Sequence, residues 1–303
     1  MNYFESKSAA ERYAKGRPYF QFQVIEKVKS YVKPNNLFNK TIDMGCRTGL
    51  STIALKNIAH KIVGVDSSAE MIALVLKNSK IEYSVAHAEC IPVSDHDFNC
   101  MTLCSVFHWI QQEIIFAEAN RILFAESWII ICNNYFFAQM IENEVFQSWY
   151  QEEYLHKYPS PPGNLAARNI EEFNIDDISL IHKEEYENKV RCSIEPLIDY
   201  LVMQSNIIVA VENGKQSIIE IKKWLFKEIT PFFDNKAEAT FLFGGCRRSS
   251  VARSRDKCDS PVVAGAGEFA NDPACARWFV GLCFSLLFEK YRLLADHPLP
   301  ERR

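Results

Sequence analysis

The sequence has no apolar run long enough to cross a lipid bilayer. The apolar runs 128–132 and 278–288 fall well short of the roughly 20 residues that a spanning helix needs. Charged side chains interrupt residues 1–17, which therefore lack the apolar core of a secretory signal. We predict a cytoplasmic protein without a membrane partner.

The sequence also lacks an excess of charge of either sign, since 34 basic and 38 acidic residues give a net charge of -4. This balance provides no electrostatic reason to expect a nucleic-acid partner. The ten cysteines contain no C-x-x-C pair and no dense framework spacing. The cysteine pattern therefore predicts reduced thiols and no metal site. The sequence leaves the oligomeric state open.

Isoleucine is absent from residues 241–303, although residues 1–240 contain 28. The same 63 residues hold 8 Arg and 2 Lys, whereas the preceding part holds 6 Arg and 18 Lys. We interpret residues 246–303 as an atypical, partly disordered tail, derived from an altered splice form or reading frame. Its basic and serine-rich stretch 247–255 is either a disordered linker or a phosphorylation or interaction segment.

The rest of the chain alternates short apolar strands with helical patterns. The predicted strands are 41–44, 61–65, 81–85, 100–106, 128–132 and 239–243. This alternation predicts βαβ units and a mostly parallel sheet with helices on both faces, which binds its ligand at the carboxyl ends of the strands. We expect a helical N-terminal lid segment over 1–36, a main domain over 37–245 and a lid insertion over 134–190, in which Trp149 and Tyr154 serve packing more than binding.

A glycine-containing loop, Asp43-Met44-Gly45-Cys46-Arg47-Thr48-Gly49, joins the first strand to the next helix. Glycine permits a sharp turn there, and the helix N-terminus presents free N–H groups. Asp66 ends the second strand about 20 residues later, where a carboxylate can accept both hydroxyls of a ribose. The pair predicts an adenosine-containing ligand. The alternative is that Asp66 only caps the following helix, a role that Ser67 or Ser68 could also fill.

This loop is one of several motifs between residues 13 and 123. They are Tyr13…Arg17-Pro18, Asp43–Gly49, Val63–Met71, Ala88–Val93 with Asp97-Phe98, His108-Trp109 and Ala117–Leu123 with its Glu118-x-x-Arg121 pattern. Together they resemble the class I S-adenosylmethionine-dependent methyltransferases, in particular the UbiE-like and trans-aconitate-methyltransferase-like group known as methyltransferase type 11. The resemblance covers about residues 1–245, and the dinucleotide pattern G-x-G-x-x-G does not fit.

The resemblance implies a Rossmann-like three-layer α/β fold whose seven-stranded sheet has its last strand antiparallel. It implies transfer of a methyl group from S-adenosylmethionine to a small-molecule acceptor, with carboxylic acids among the candidates. The implied cofactor-binding residues are Tyr13, Arg17, Asp43, Gly45, Cys46, Gly49, Asp66, Ser67, Met71, Ala88, Glu89 and Ser105. Arg17 could bind a carboxylate of the cofactor or the substrate. His108 is the candidate catalytic base, with plain packing as its alternative role.

Three positions depart from the pattern of that group. Arg47 replaces the middle glycine of the loop, His87 stands where an acidic residue is usual, and residues 124–127 replace a Lys-Pro-Gly-Gly turn. Arg47 matters most, because its long side chain must point away from a cofactor or fill its space. The alternative function is therefore a catalytically weak or inactive relative that serves as a binding or scaffold module.

Overall fold

The computed structural model describes residues 4–30, 37–161 and 178–252. Its strands are β1 Phe38–Met44, β2 Ala59–Asp66, β3 Ile81–Val85, β4 Phe98–Cys104, β5 Leu123–Cys132, β6 Tyr135–Met140, β7 Ile178–Cys192 and β8 Ala239–Ala252. Its helices are α1 Lys7–Gly16, α2 Gln21–Lys29, α3 Leu50–Ala54, α4 Ala69–Ile72, α5 Gln112–Ile122, α6 Val145–Trp149, α7 Leu155–Lys157, α8 Ile194–Val202, α9 Ser205–Glu212 and α10 Ile218–Ile229. A π-helical turn, Tyr150–Tyr154, joins α6 to α7.

The strands form one sheet in the order β3-β2-β1-β4-β5-β8-β6, and β7 pairs along β8. The first five of these positions are parallel, whereas β8 runs antiparallel to β5, β6 and β7. This arrangement confirms the predicted α/β class, the mostly parallel sheet and the antiparallel last strand. The predicted count of seven strands is not confirmed, because the described part of the chain contains eight.

Neither β6 nor β7 was predicted as a strand, and β6 lies within the region predicted as a lid insertion. Strand β7 begins in that region and ends two residues beyond it. Its charged residues Glu185, Glu187 and Lys189 are exposed, while Tyr186 between them is buried. Such alternation is typical of a strand with one solvent-facing side. The exposed side of β7 over residues 185–189 is therefore a solvated face.

The last strand crosses the predicted domain boundary at residue 245. Residues 241–244 of β8 pair with β6, and residues 247–251 pair with β5. Residues 253–303, which make up most of the predicted tail, lie outside the described residues. The domain boundaries therefore stay a prediction.

Helices cover both faces of the parallel part of the sheet. Ile129 and Ile131 of β5 pack in one apolar cluster with Ile115 of α5, whereas Ile130 packs in another with Ile25 of α2. Burial on both faces explains why the sequence of β5 is apolar at consecutive positions.

A third cluster joins α1, the helices after β6 and the ends of β6 and β8. Its fully buried members include Phe146, Tyr154 and Leu201, and Trp149 is 8% exposed. Within the described ranges, no single helix combines the length and apolar content needed to cross a membrane. Helices α8 and α9 meet that test only as a pair, across a break that bends them by 67°.

Helix α1 lies very close to α8 at Gly16. A Cβ atom added at Gly16 would overlap the backbone carbonyl of Asp199. The carboxylate of Asp199 pairs with Lys15 at 2.8 Å and with Lys222 at 2.7 Å. These contacts hold the end of α1, and with it Tyr13 and Arg17, against the body of the domain.

We predict that Gly16→Ala lowers the free energy of unfolding by about 1–3 kcal/mol, because a methyl group at this position must push α1 away from α8. The sign of this change tests the close contact, because helix propensity alone would make the alanine variant about 1 kcal/mol more stable than wild type. Urea unfolding measures the change. The matched control is Ala14→Gly at an exposed position of the same helix, which should lose about 1 kcal/mol through propensity. A Gly16→Ala protein as stable as wild type would contradict the close contact.

Candidate functional site

The buried carboxylate of Asp43, near the end of β1, anchors the glycine-containing loop. Its Oδ2 accepts hydrogen bonds from Ser51 Oγ at 2.6 Å and Thr52 Oγ1 at 2.7 Å, and its Oδ1 accepts one from Thr102 Oγ1 at 2.7 Å. Burial raises the pKa of Asp43, although the three hydroxyls favour the charged form. Asp43 therefore binds protein hydroxyls of α3 and β4, and it positions the loop from within.

Three residues of the loop have left-handed backbone conformations: Gly45 at φ 62°, Arg47 at φ 51° and Gly49 at φ 82°. A Cβ atom at Gly45 would overlap the side chain of Val106, so glycine is needed there for space as well as conformation. Arg47 adopts its conformation without that freedom, which marks a strained position. Cys46 between them is buried, and burial raises the pKa of its thiol well above the usual value.

Asp66 connects the loop after β1 to the loop after β2. Its Oδ2 accepts the backbone N–H of Arg47 at 2.8 Å, and its Oδ1 accepts that of Ser68 at 2.8 Å. Ser68 is the N-cap of α4, since its Oγ accepts the N–H of Met71 at 3.2 Å. The alternative that Asp66 is the N-cap of this helix is therefore wrong. The structure brings the predicted ribose carboxylate and the glycine-containing loop together.

The side chain of Arg47 lies among other predicted cofactor-binding residues. Its Nη1 donates to Tyr13 Oη at 2.9 Å, and its Nη2 donates to the carbonyl oxygen of Ser105 at 3.1 Å. The guanidinium also lies 5.0 Å from the ring centroids of Phe4 and Tyr13. Although burial alone would raise the pKa of Tyr13, the neighbouring Arg47 and Arg17 lower it. The side chain of Arg47 was expected either to point away from a cofactor or to fill its space. These contacts show that it fills space at the site.

Ser105 joins the carboxyl ends of β4 and β5 to α1. Its backbone has φ 56°, and its N–H donates to the carbonyl of Cys132 at 2.7 Å. Its Oγ accepts from Arg17 Nη2 at 3.3 Å and from the N–H of Asn134 at 3.2 Å. Neither Arg17 nor Arg47 forms an ion pair with a carboxylate among the residues that the structure describes. The site therefore carries two guanidinium groups whose described hydrogen-bond partners at Tyr13 and Ser105 are uncharged.

His108 follows Ser105 in a short 3-10 turn, Phe107–Trp109. Its Nδ1 is buried and has no hydrogen-bond partner within the described part of the chain. Burial, together with the charges of Arg47 and Arg17, lowers the pKa of His108 to about 4. The imidazole is therefore neutral at physiological pH.

The remaining predicted residues lie on the side of β2 and β3. Met71 is fully buried in the aromatic-rich cluster that also contains Tyr13, so its side chain packs in the core. Ser67 is exposed, and Ala88 and Glu89 are half-buried in the loop after β3. That loop begins beside the site, because the N–H of Ala86 donates to the carbonyl of Asp66 at 3.0 Å.

Two asparagines at the end of β5 escaped the sequence prediction. Tyr186 of β7 donates its hydroxyl to the carbonyl of Asn133 and lies 2.8 Å from Asn134 Oδ1. Gly245 leaves room for this contact, since a Cβ there would overlap the Asn133 carbonyl. Asn133 Oδ1 and Asn134 Nδ2 are buried without a partner in the described structure. Their position directly after a predicted strand was the available signal.

Phe4 also belongs to the site and was not predicted. Its carbonyl oxygen accepts a hydrogen bond from Ser68 Oγ at 2.8 Å, and its ring meets that of Tyr13 edge to face at 5.6 Å. Phe4, just before α1, therefore contacts the loop after β2, and the role of a lid stays a prediction.

Comparison with known proteins gives a consistent picture. Residues 42–131 match the methyltransferase domain family. A Dictyostelium discoideum protein named as a methyltransferase is 24% identical over 233 residues, which cover 73% of this chain and 84% of that protein. A Saccharomyces cerevisiae protein named as an S-adenosylmethionine-dependent methyltransferase is 19% identical over 169 residues, or 52% of this chain and 57% of that protein.

A solved structure from Anaeromyxobacter dehalogenans, described as a type II methyltransferase, shares the fold. It superposes with a TM-score of 0.58 at 14% identity, covering 77% of this chain and 95% of that one. Three findings indicate a methyltransferase domain: the parallel sheet, the loop bonded to Asp66 and the family match over residues 42–131. The likeness is to class I methyltransferases as a group, and the narrower UbiE-like subgroup stays a prediction.

Proposed function

We propose that this chain transfers a methyl group from S-adenosylmethionine to a small-molecule acceptor. The observation that carries the proposal is the carboxylate of Asp66, which is bonded to the backbone of the glycine-containing loop at the carboxyl edge of the sheet. A carboxylate at the end of the second strand is the group that accepts ribose hydroxyls in folds of this kind.

The residues on this side of the site fit a nucleoside. Each oxygen of Asp66 accepts one backbone N–H at 2.8 Å and retains acceptor capacity for a hydroxyl. The bound cofactor would supply an electrophilic methyl group on a sulfonium. The task of this chain is then to bind and orient the two partners, which is the main source of rate in such transfers.

Arg47 is the observation that favours the alternative, a binding module of low activity. Its guanidinium is bonded to Tyr13 and Ser105, and it is a cation near a site meant for a cationic sulfonium. Like charges at short range repel, most strongly away from water. Binding of S-adenosylmethionine therefore requires Arg47 to move or to face an anionic group of the ligand.

The charges at the site favour an acceptor that carries a carboxylate. Arg17 and Arg47 both donate to Ser105 and have no carboxylate partner among the described side chains. Arg17 Nε is buried without a hydrogen-bond partner in the same part of the chain. A carboxylate would satisfy these donors with charge-assisted hydrogen bonds.

The properties of His108 also favour an acceptor that carries a carboxylate. A base whose pKa is about 4 is a weak acceptor for the proton of a hydroxyl acceptor at neutral pH. A carboxylate is already ionised and needs no base. We therefore assign His108 a neutral, packing role and Arg17 the role of holding the acceptor.

Calorimetric titration with S-adenosylmethionine tests the cofactor. We expect wild type to bind. Arg47→Gly should bind about threefold to tenfold more tightly, because a repelling cation is removed. Asp66→Ala should bind at least about tenfold more weakly, because it loses the carboxylate that accepts hydrogen bonds from the ribose hydroxyls. No heat in wild type with recovery in Arg47→Gly would overturn the enzyme in favour of the inactive module. No heat in either protein would overturn the cofactor itself.

A screen of small carboxylic acids and phenols for formation of S-adenosylhomocysteine tests the acceptor. We expect turnover with carboxylic acids, and a rise in the acceptor KM of about tenfold in Arg17→Gln, because a charge-assisted hydrogen bond is lost. The matched control is Arg12→Gln on α1, five residues before Arg17, where the guanidinium pairs with Glu212 at 3.4 Å. Turnover of phenols alone would contradict the carboxylate preference.

His108 should influence stability more than turnover. Its pKa in the folded chain is about 4, below the ordinary 6.5, so the unfolded chain binds the extra proton between these pH values. The free energy of unfolding should therefore fall as the pH is lowered from 6.5 to 4, by about 1–3 kcal/mol for this residue.

Urea unfolding across that pH range measures the loss for His108. His108→Gln should show a shallower fall than wild type, with the exposed His156→Gln as the control. The kcat of His108→Gln at pH 7 should stay within about threefold of wild type if His108 is not the base. General-base catalysis contributes roughly a hundredfold or more where it operates. A larger loss of kcat would restore His108 as the base.

A further inference from the structure

Arg121 of α5 reaches across to the loop that follows β3. Its Nη2 donates to the carbonyl oxygen of Ile91 at 3.0 Å, and its Nη1 donates to that of Val93 at 2.8 Å. One side chain therefore holds two backbone carbonyls of a segment that has no regular secondary structure of its own.

Glu118, one turn earlier on α5, completes the contact. Its Oε1 accepts the backbone N–H of Ile91 at 2.9 Å, while Arg121 donates to both of its carboxylate oxygens at 2.6 and 2.9 Å. The carboxylate and the guanidinium orient each other as a two-bonded pair. Ile91 is thus bound through both its N–H and its carbonyl, which leaves little freedom at that end of the loop.

The other end of the same loop is bound to the proposed ribose site. The N–H of Ala86 donates to the carbonyl of Asp66 at 3.0 Å, and strand β3 is the neighbour of β2 in the sheet. Ala88 and Glu89 lie between the two fixed ends and are half-buried. A nucleoside whose ribose is bound at Asp66 therefore has this backbone segment as its neighbour on the β3 side.

We propose that Glu118 and Arg121 are positioning residues for the purine base of the cofactor, an inference that rests on the proposed function. Through their bonds to Ile91 and Val93 they would fix the path of residues 86–93 beside the base. This assigns a role to the Glu118-x-x-Arg121 pattern, which neither the ribose carboxylate nor the glycine-containing loop explains.

The test compares two ligands that differ only at the base. S-adenosylhomocysteine carries an amine at the position where S-inosylhomocysteine carries a carbonyl, so fixed backbone groups should distinguish them. Calorimetry should show that Arg121→Lys and Glu118→Gln bind S-adenosylhomocysteine about tenfold more weakly than wild type, since bonds from a charged group to the loop are lost. The preference for adenine over hypoxanthine should shrink by a similar factor.

Two variants serve as controls. Asp95→Asn removes the exposed partner of Arg121 but leaves its bonds to Ile91 and Val93 in place. Arg191→Gln on β7 removes an exposed ion pair with Glu238, the residue before β8. Both should bind the two ligands as wild type does, because exposed ion pairs contribute little.

Each result separates the hypotheses. Unchanged affinity in a folded Arg121→Lys protein would overturn the inference, and so would an equal loss for both ligands, which indicates a general structural role. Should Arg121→Lys not fold, Glu118→Gln decides by the same comparison, because it retains the size and the acceptor oxygen of the carboxylate. A wild-type chain that binds neither ligand would overturn the proposed function and this inference with it.

Discussion

The geometry of the site depends on the burial of one carboxylate, that of Asp43. A buried carboxylate without partners is costly, and here three hydroxyls, from Ser51, Thr52 and Thr102, compensate for lost water. Because two belong to α3 and one to β4, these bonds join the end of β1 to both elements. The loop from β1 to α3 is thereby bound at both ends, and Arg47 adopts its left-handed conformation within it.

That constraint explains how Arg47 can occupy a position suited to glycine. Its backbone N–H donates a hydrogen bond to Asp66 Oδ2 at 2.8 Å. This bond offsets part of the conformational free energy that a non-glycine residue loses at φ 51°. With the backbone so oriented, the side chain lies between α1 and the end of β4, where Tyr13 and Ser105 accept its hydrogen bonds. The strain and the unusual side chain are two results of the same arrangement.

The sequence predicts local features of this chain better than distant pairings. Apolar strands such as 61–65 and the loop up to Gly49 were identified because their periodicity and turn chemistry are local. Strands β6 and β7 were not predicted, because each is held by pairing with β8, a segment far away in the sequence. The contact of Tyr186 with Asn133 spans 53 residues of sequence and depends on the space at Gly245, so no local pattern reveals it. The side-chain position of Arg47 likewise follows from tertiary contacts.

The partners of Arg47 bear on whether the site can function. A phenol and a backbone carbonyl are neutral acceptors, whereas a carboxylate adds a negative charge and can accept two parallel bonds from one guanidinium. An anionic ligand group could therefore replace Tyr13 and Ser105 as partners without leaving the guanidinium unpaired. A sulfonium ligand with no anionic group near Arg47 would leave two positive charges close together in a half-buried site. The same side chain that opposes a sulfonium thus favours a carboxylate, and this selectivity is consistent with an acid as the acceptor.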